Sequence, residues 1–198
     1  MEKVHLFRKV GRRRDTPKAS RLIPSAALVA SGLVLALGPS GALGHMPARA
    51  DTSKGCLTGD WITEATAFVT EETGTPTPEV CVRLASQERL NALVLPAVPG
   101  KAHGESVAAV YVPATREVLL AGDLDPSTPL AHSYLVHELV HAQQFAKHAE
   151  ERVSCLGVLE GDAYGTQALY LRTRGLQEEA LLLQVLGMFQ SACGYSYE

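Results

Sequence analysis

No apolar run in this 198-residue chain reaches the roughly 20 residues that a bilayer-spanning helix needs, which excludes a polytopic membrane protein. None of its four cysteines forms a Cys-x-x-Cys pair, which argues against a zinc knuckle or a thioredoxin-type redox site. Basic residues are scarce beyond position 50. Of 18 Lys+Arg, nine fall in residues 1–50, leaving nine against 19 acids in 51–198, a net of −10. A body that acidic is poorly suited to a phosphate backbone, so no nucleic-acid partner is expected. There is no internal repeat, and a mean hydropathy near zero with 46% hydrophobic residues excludes a long disordered chain. A single acidic domain behind a basic leader is what remains.

The leader has the order of an export signal. Its basic stretch ends at Arg21, an apolar stretch covers 22–37, and Gly38-Pro39-Ser40-Gly41 breaks it. Ala48 and Ala50 place small side chains at −3 and −1 of a cleavage before Asp51, and Ala42-Leu43-Gly44 offers a second site. Residues 1–50 are therefore expected to be a signal peptide and 51–198 a secreted or periplasmic domain, off the membrane after cleavage; the alternative is an uncleaved anchor. Asp15 and Thr16 after Arg12-Arg13-Arg14 disfavour a twin-arginine signal, and Ser53-Lys54-Gly55 before Cys56 lacks the apolar position of a lipoprotein signal. All four cysteines (Cys56, Cys81, Cys155, Cys193) lie in the exported part, as disulfides in an oxidising compartment would. Three pairings are possible, and the helix pattern below favours Cys56–Cys81 and Cys155–Cys193.

Leu57, Trp61, Ile62, Ala65, Phe68 and Val69 recur at helical spacing, with Gly74 as a stop. Residues 80–84 alternate as a short strand, Ser86 can cap a short helix to about 95, and 96–104 reads as loop. A hairpin follows, with strands at 107–112 and 117–121. Ser127 or Thr128 caps a helix with Pro129 in its first turn, running to about 147. Two more helices are expected, 156–174 closed by Gly175 and one centred on Leu181, Leu182, Val185, Leu186 and Phe189, joined by a short link and hence antiparallel. Trp61 and Phe68 are expected in the core, and His132 and His148 as exposed histidines off the metal-facing side. The fold class is α+β: a small antiparallel sheet packed against the third helix, followed by an antiparallel helix pair.

That third helix carries His137-Glu138-Leu139-Val140-His141, an H-E-x-x-H motif that would arise by chance in roughly 2% of shuffles of this composition. Four residues apart on a helix, His137 and His141 share a face and can meet one ion, while Glu138, turned by about 100°, can reach water at that ion as general base and acid. A catalytic zinc needs a third protein ligand. The metzincin position falls on Lys147, with Gln144 where that pattern has glycine; His148 is one residue off, and Glu150 and Glu151 are too close to fold back. Glu160, near the start of the next helix, is the better candidate. Tyr164, one turn on, could donate to an oxyanion or be a core tyrosine; Asp162 could orient a ligating imidazole or simply favour a helix N-terminus.

His137-Glu138-Leu139-Val140-His141-Ala142-Gln143, with Glu160-Gly161-x-Ala163 nineteen residues after His141, resembles a gluzincin-type zinc metallopeptidase domain of the minimal secreted bacterial type. The resemblance covers roughly residues 105–175. It implies a minimal zincin-like fold holding one Zn²⁺, in which an edge strand of the hairpin takes a peptide or protein substrate in extended conformation, cleaved through a zinc-activated water. The fuller downstream motif and extra domain of larger thermolysin-like enzymes are absent. The alternatives are a catalytically silent zinc-binding module of the cell envelope and an inert secreted helical domain with a fortuitous motif. Oligomeric state is left open.

Overall fold

A computed structural model describes residues 7–8, 55–94 and 106–193. The expected cleavage sites and the 96–104 loop lie outside the described residues. Among the described residues the protein is α+β, with five helices and a small mixed sheet.

In chain order the elements are β1 (Phe7–Arg8), α1 (Asp60–Thr73), β2 (Cys81–Ala85), α2 (Gln87–Val94), β3 (Val107–Val112), β4 (Glu117–Ala121), α3 (Pro129–Ala146), a 3₁₀ turn (Ala149–Glu151), α4 (Gly157–Thr173) and α5 (Gln177–Ser191). Their ends follow local chemistry. Gly74 closes α1 in the left-handed conformation, at φ 61°. Thr128 caps α3, its hydroxyl accepting from the Ala131 N–H at 3.2 Å, with Pro129 where a missing N–H costs nothing.

The sheet order is β1-β3-β4-β2. β3 and β4 form the expected antiparallel hairpin, from Ala109↔Leu120 to Val112↔Glu117. The sheet is not wholly antiparallel, however: β2 runs parallel to β4, from Cys81↔Glu117 to Ala85↔Ala121. Parallel neighbours need a crossover between them, and α2 with β3 supplies it. The two faces of the sheet are covered by different helices. Tyr111, Val118 and Leu120 join the main core beneath α1 and α3, while Val110, Leu119 and Ala121 pack around Leu90 of α2. All six residues of β3 are buried, which explains its unbroken apolar sequence.

Leu57 departs from the helical reading. It lies before α1 in an extended segment, its N–H donating to the Val82 carbonyl at 2.7 Å, so it extends the β2 edge instead. The disulfide Cys56–Cys81 anchors that segment, and Cys155–Cys193 joins the approach to α4 to the end of α5. Closing loops of 25 and 38 residues should contribute ~3–4 kcal/mol each by restricting the unfolded chain. Both bridges fit an oxidising compartment. Among the described residues no helix is long and apolar enough to cross a membrane.

α3 is the central helix, and every residue from Ser133 to Gln144 is buried. α1 and α4 flank it, and α5 packs on α4. His132 is a staple between elements and not a free surface histidine: it stacks on Trp61, with centroids 5.2 Å apart, and its ring nitrogens meet Tyr170 Oη and the Pro126 carbonyl. Trp61 and Phe68 are partly buried against the core.

Candidate metal centre

One turn apart on α3, His137 and His141 bring their rings into an edge-on pair, with centroids 4.8 Å apart and the two Nε2 atoms at 3.1 Å. After α3 the chain reverses through His148, at φ 52°, and the 3₁₀ turn, and α4 returns beside α3. Gln144 fixes that return, its Nε2 donating to the Leu159 carbonyl at 3.0 Å. Glu160 consequently faces the histidines: Oε2 is 3.4 Å from His137 Nε2 and Oε1 3.5 Å from His141 Nε2. One ligand atom from each of the three residues lies within 4.8 Å of the others. The imidazoles are fully buried and the Glu160 side chain is 11% exposed.

The hydrogen-bond network fixes where the protons are. His137 Nδ1 meets Gln167 Oε1 at 3.1 Å, and His141 Nδ1 meets Gln144 Oε1 at 2.7 Å. The orientation of each amide is determined by its other end. Gln144 Nε2 donates to a carbonyl, which can only accept; Gln167 Nε2 donates to Ser133 Oγ, which itself donates to the Leu130 carbonyl. Both amide oxygens therefore point at the imidazoles, and an amide oxygen has no proton to give. Each Nδ1 must carry the hydrogen, which leaves Nε2 of each ring, when neutral, without one. Two lone pairs and a carboxylate thus converge in a buried space, an arrangement that a cation satisfies. Protonation satisfies it only in part. Burial holds His137 down to about 4, whereas for His141 the nearby carboxylates of Glu160 and Glu138 outweigh burial and raise the pKa.

Glu138 completes the arrangement from the adjacent face of α3. Its Oε2 accepts the Tyr111 N–H of β3 at 2.7 Å, and its Oε1 is buried with no hydrogen-bond partner among the described residues. Burial pushes its carboxyl up to about 8; the His141 charge opposes this, the Glu160 charge adds to it, and the Tyr111 N–H opposes it. An orphaned buried acceptor is uncommon in a folded interior, and this one lies beside three side chains that could hold a metal ion.

A match to the family described as "Domain of unknown function (DUF6647)" spans residues 56–195, from the first cysteine past the last. The chain belongs to this family. No curated protein and no solved structure matches it.

In this DUF6647 domain the remaining candidates take different places. Tyr164 is buried, its ring edge-on to His137 with centroids 4.7 Å apart, so it walls the site. Asp162 lies on the outer side of α4, and both imidazole Nδ1 atoms already have glutamine partners. It lines a groove of about 480 Å³ with Glu72, Thr75, Gln143 and Lys147 that reaches Gln144 but none of the three converging ligands. His148, Glu150 and Glu151 form a second group at the surface around the 3₁₀ turn.

Sequence reasoning missed Gln144 and Gln167. The available signal was one of position: Gln144 is three residues after His141, and Gln167 two turns after Glu160. It also missed why Gly161 follows Glu160. A Cβ there would lie 2.8 Å from Ser191 Cβ, and one on Gly187 would lie 2.8 Å from Tyr164 Cβ. Glycines on both helices let α5 press close behind the two residues that α4 presents to the site.

Proposed function

We propose that this DUF6647 domain is an exported, zinc-dependent peptidase of gluzincin type. His137, His141 and Glu160 would hold one zinc ion, and Glu138 would act as general base and acid. The observation that carries the reading is the buried convergence of the His137 and His141 Nε2 atoms and the Glu160 carboxylate beside the orphaned Glu138 Oε1. Bound zinc supplies Lewis acidity toward a peptide carbonyl and lowers the pKa of water. The rest is the work of the chain. The Tyr111 amide holds one oxygen of Glu138, leaving the other free to take a proton from water and deliver it to a leaving amine. Gln144 and Gln167 keep the ligating nitrogens bare and aimed.

Substrate would join the outer edge of β3 as an extended strand. That edge accepts an antiparallel partner: β1 pairs there, with Phe7↔Ala109 and Arg8↔Val107. Cleavage of residues 1–50 as a signal peptide would remove β1 and free the edge.

A second reading, a catalytically silent zinc-binding module of the cell envelope, is favoured by one observation: the ligand set is buried, and only Glu160 among its members has any exposure. Glu138→Gln separates the two. For a peptidase, zinc content stays near one per chain while cleavage of an unbiased peptide mixture falls by ~10²–10⁴-fold, because the amide cannot accept the proton. For a silent module, wild type and variant carry the same zinc and neither cleaves. Purified protein that takes up no zinc defeats both.

A further inference from the structure

Among the described helices, α5 carries the most exposed large apolar side chains. Ala180, Leu183 and Gly187 turn inward to α4, yet Leu181, Leu182, Val185, Met188 and Phe189 on the other side are 39–69% exposed. A helix apolar on both sides belongs in an interior, so among the described residues the outer side lacks a cover.

The face is symmetric about Val185. Leu181 and Leu182 precede it by four and three residues; Met188 and Phe189 follow it by three and four. At about 100° per residue, Leu181 and Met188 fall on one side of the seam and Leu182 and Phe189 on the other. That is the self-complementarity a twofold axis demands. In an antiparallel pair, Val185 meets Val185 of the partner subunit, Leu181 meets Met188 of the partner subunit, and Leu182 meets Phe189 of the partner subunit.

Charge and area agree with this occupant. No charged residue occurs from 180 to 191, so the seam crosses without repulsion even though the body is acidic. α5 has no Lys or Arg at all, unlike helices that settle on membrane surfaces. At about 200 Å² for each fully exposed large side chain, the five residues offer roughly 500 Å² per protomer. Two copies then bury about 1,000 Å², the lower bound for a biological interface and the range of weak, reversible dimers.

We propose that α5 is the interface of a homodimer, paired antiparallel about Val185. Because α5 packs against Gly161 and Tyr164 from behind, the dimer would brace the helix that presents Glu160, whatever the metal centre does.

Sedimentation and light scattering of the purified, disulfide-bonded protein over a wide concentration range test it. Wild type should have twice the chain mass. Val185→Glu, which sets two carboxylates face to face on the axis, should have the single-chain mass. Leu181→Lys and Met188→Glu alone should each weaken association by about tenfold or more, and the double variant should restore it, since every lysine then meets a glutamate. These positions already face solvent, and circular dichroism checks that each variant folds. A monomeric wild type, a dimeric Val185→Glu or a double variant that stays monomeric overturns the proposal. So does binding of the wild-type face to neutral phosphatidylcholine vesicles in place of self-association.

Discussion

α3 and α5 invert the usual burial rule in opposite directions. α3 takes His137, Glu138, His141, Gln143 and Gln144 inside, whereas α5 leaves Leu181, Val185, Met188 and Phe189 outside. Burying a polar group is costly unless it is paired, and exposing a contiguous apolar patch is uncommon unless something covers it. Each inversion is therefore the ground for one proposed occupant, an ion at α3 and a second copy of the chain at α5. The difference lies in how completely the protein has prepared for it. Around α3, buried polar side chains are held by specific hydrogen bonds, and His137, Glu138, His141 and Glu160 come together at one point. On α5 the preparation is only a pattern of shapes along one helix.

One way to break this contrast is through metal affinity. Gln167→Leu or Gln144→Leu removes an acceptor from one imidazole Nδ1 and frees that ring to adopt the wrong tautomer. Zinc affinity, measured by competition with a chromogenic chelator, should fall ~10–100-fold for either variant. Unchanged affinity in both would show that the glutamines only pack.

Stability of the metal-free protein sharpens the same point. Glu138 has a folded-state pKa raised from 4.5 to about 8, so the folded protein keeps a proton that the unfolded chain releases between those values. The stability this proton provides is full below pH 4.5 and lost as the pH rises toward 8. Glutamine does not titrate. Glu138→Gln should therefore stabilise the chelator-treated protein more at high pH than at low, by roughly 2–4 kcal/mol near pH 8 in urea titrations. A gain independent of pH would mean that the buried carboxyl is not the source of the strain.

The glycines of α4 give a smaller and two-signed test. Gly161→Ala places a methyl 2.8 Å from Ser191 Cβ and should cost ~1–3 kcal/mol, lowering the thermal midpoint. Gly165→Ala meets nothing within 4 Å and should gain up to ~1 kcal/mol from helix propensity. Equal effects at the two positions would contradict the close α4–α5 approach.

The helices, the hairpin and the face shared by His137 and His141 were legible in the sequence. They depend on periods of two and 3.6 residues and on caps such as Thr128 and Gly74, which act within a few residues of chain. The cysteine pairing followed because two antiparallel helices bring their far ends together. Contacts whose partners lie far apart in the chain were not legible. The parallel pairing of β2 with β4, the place of Leu57 on the β2 edge and the capture of His132 by Tyr170 and Trp61 each depend on how elements are oriented, which local periodicity does not encode.

The sequence alone determined which residues could be ligands, since residue type and i,i+4 spacing fix that much. The tertiary structure decided the chemistry those ligands have. It set which ring nitrogen carries hydrogen, through Gln144 and Gln167; which oxygen of Glu138 stays unpartnered, through the Tyr111 amide; and which apolar face of α5 was left to water. Each is a matter of mutual orientation between elements, because hydrogen bonds and close packing depend on angles and separations that exist only once the chain has folded.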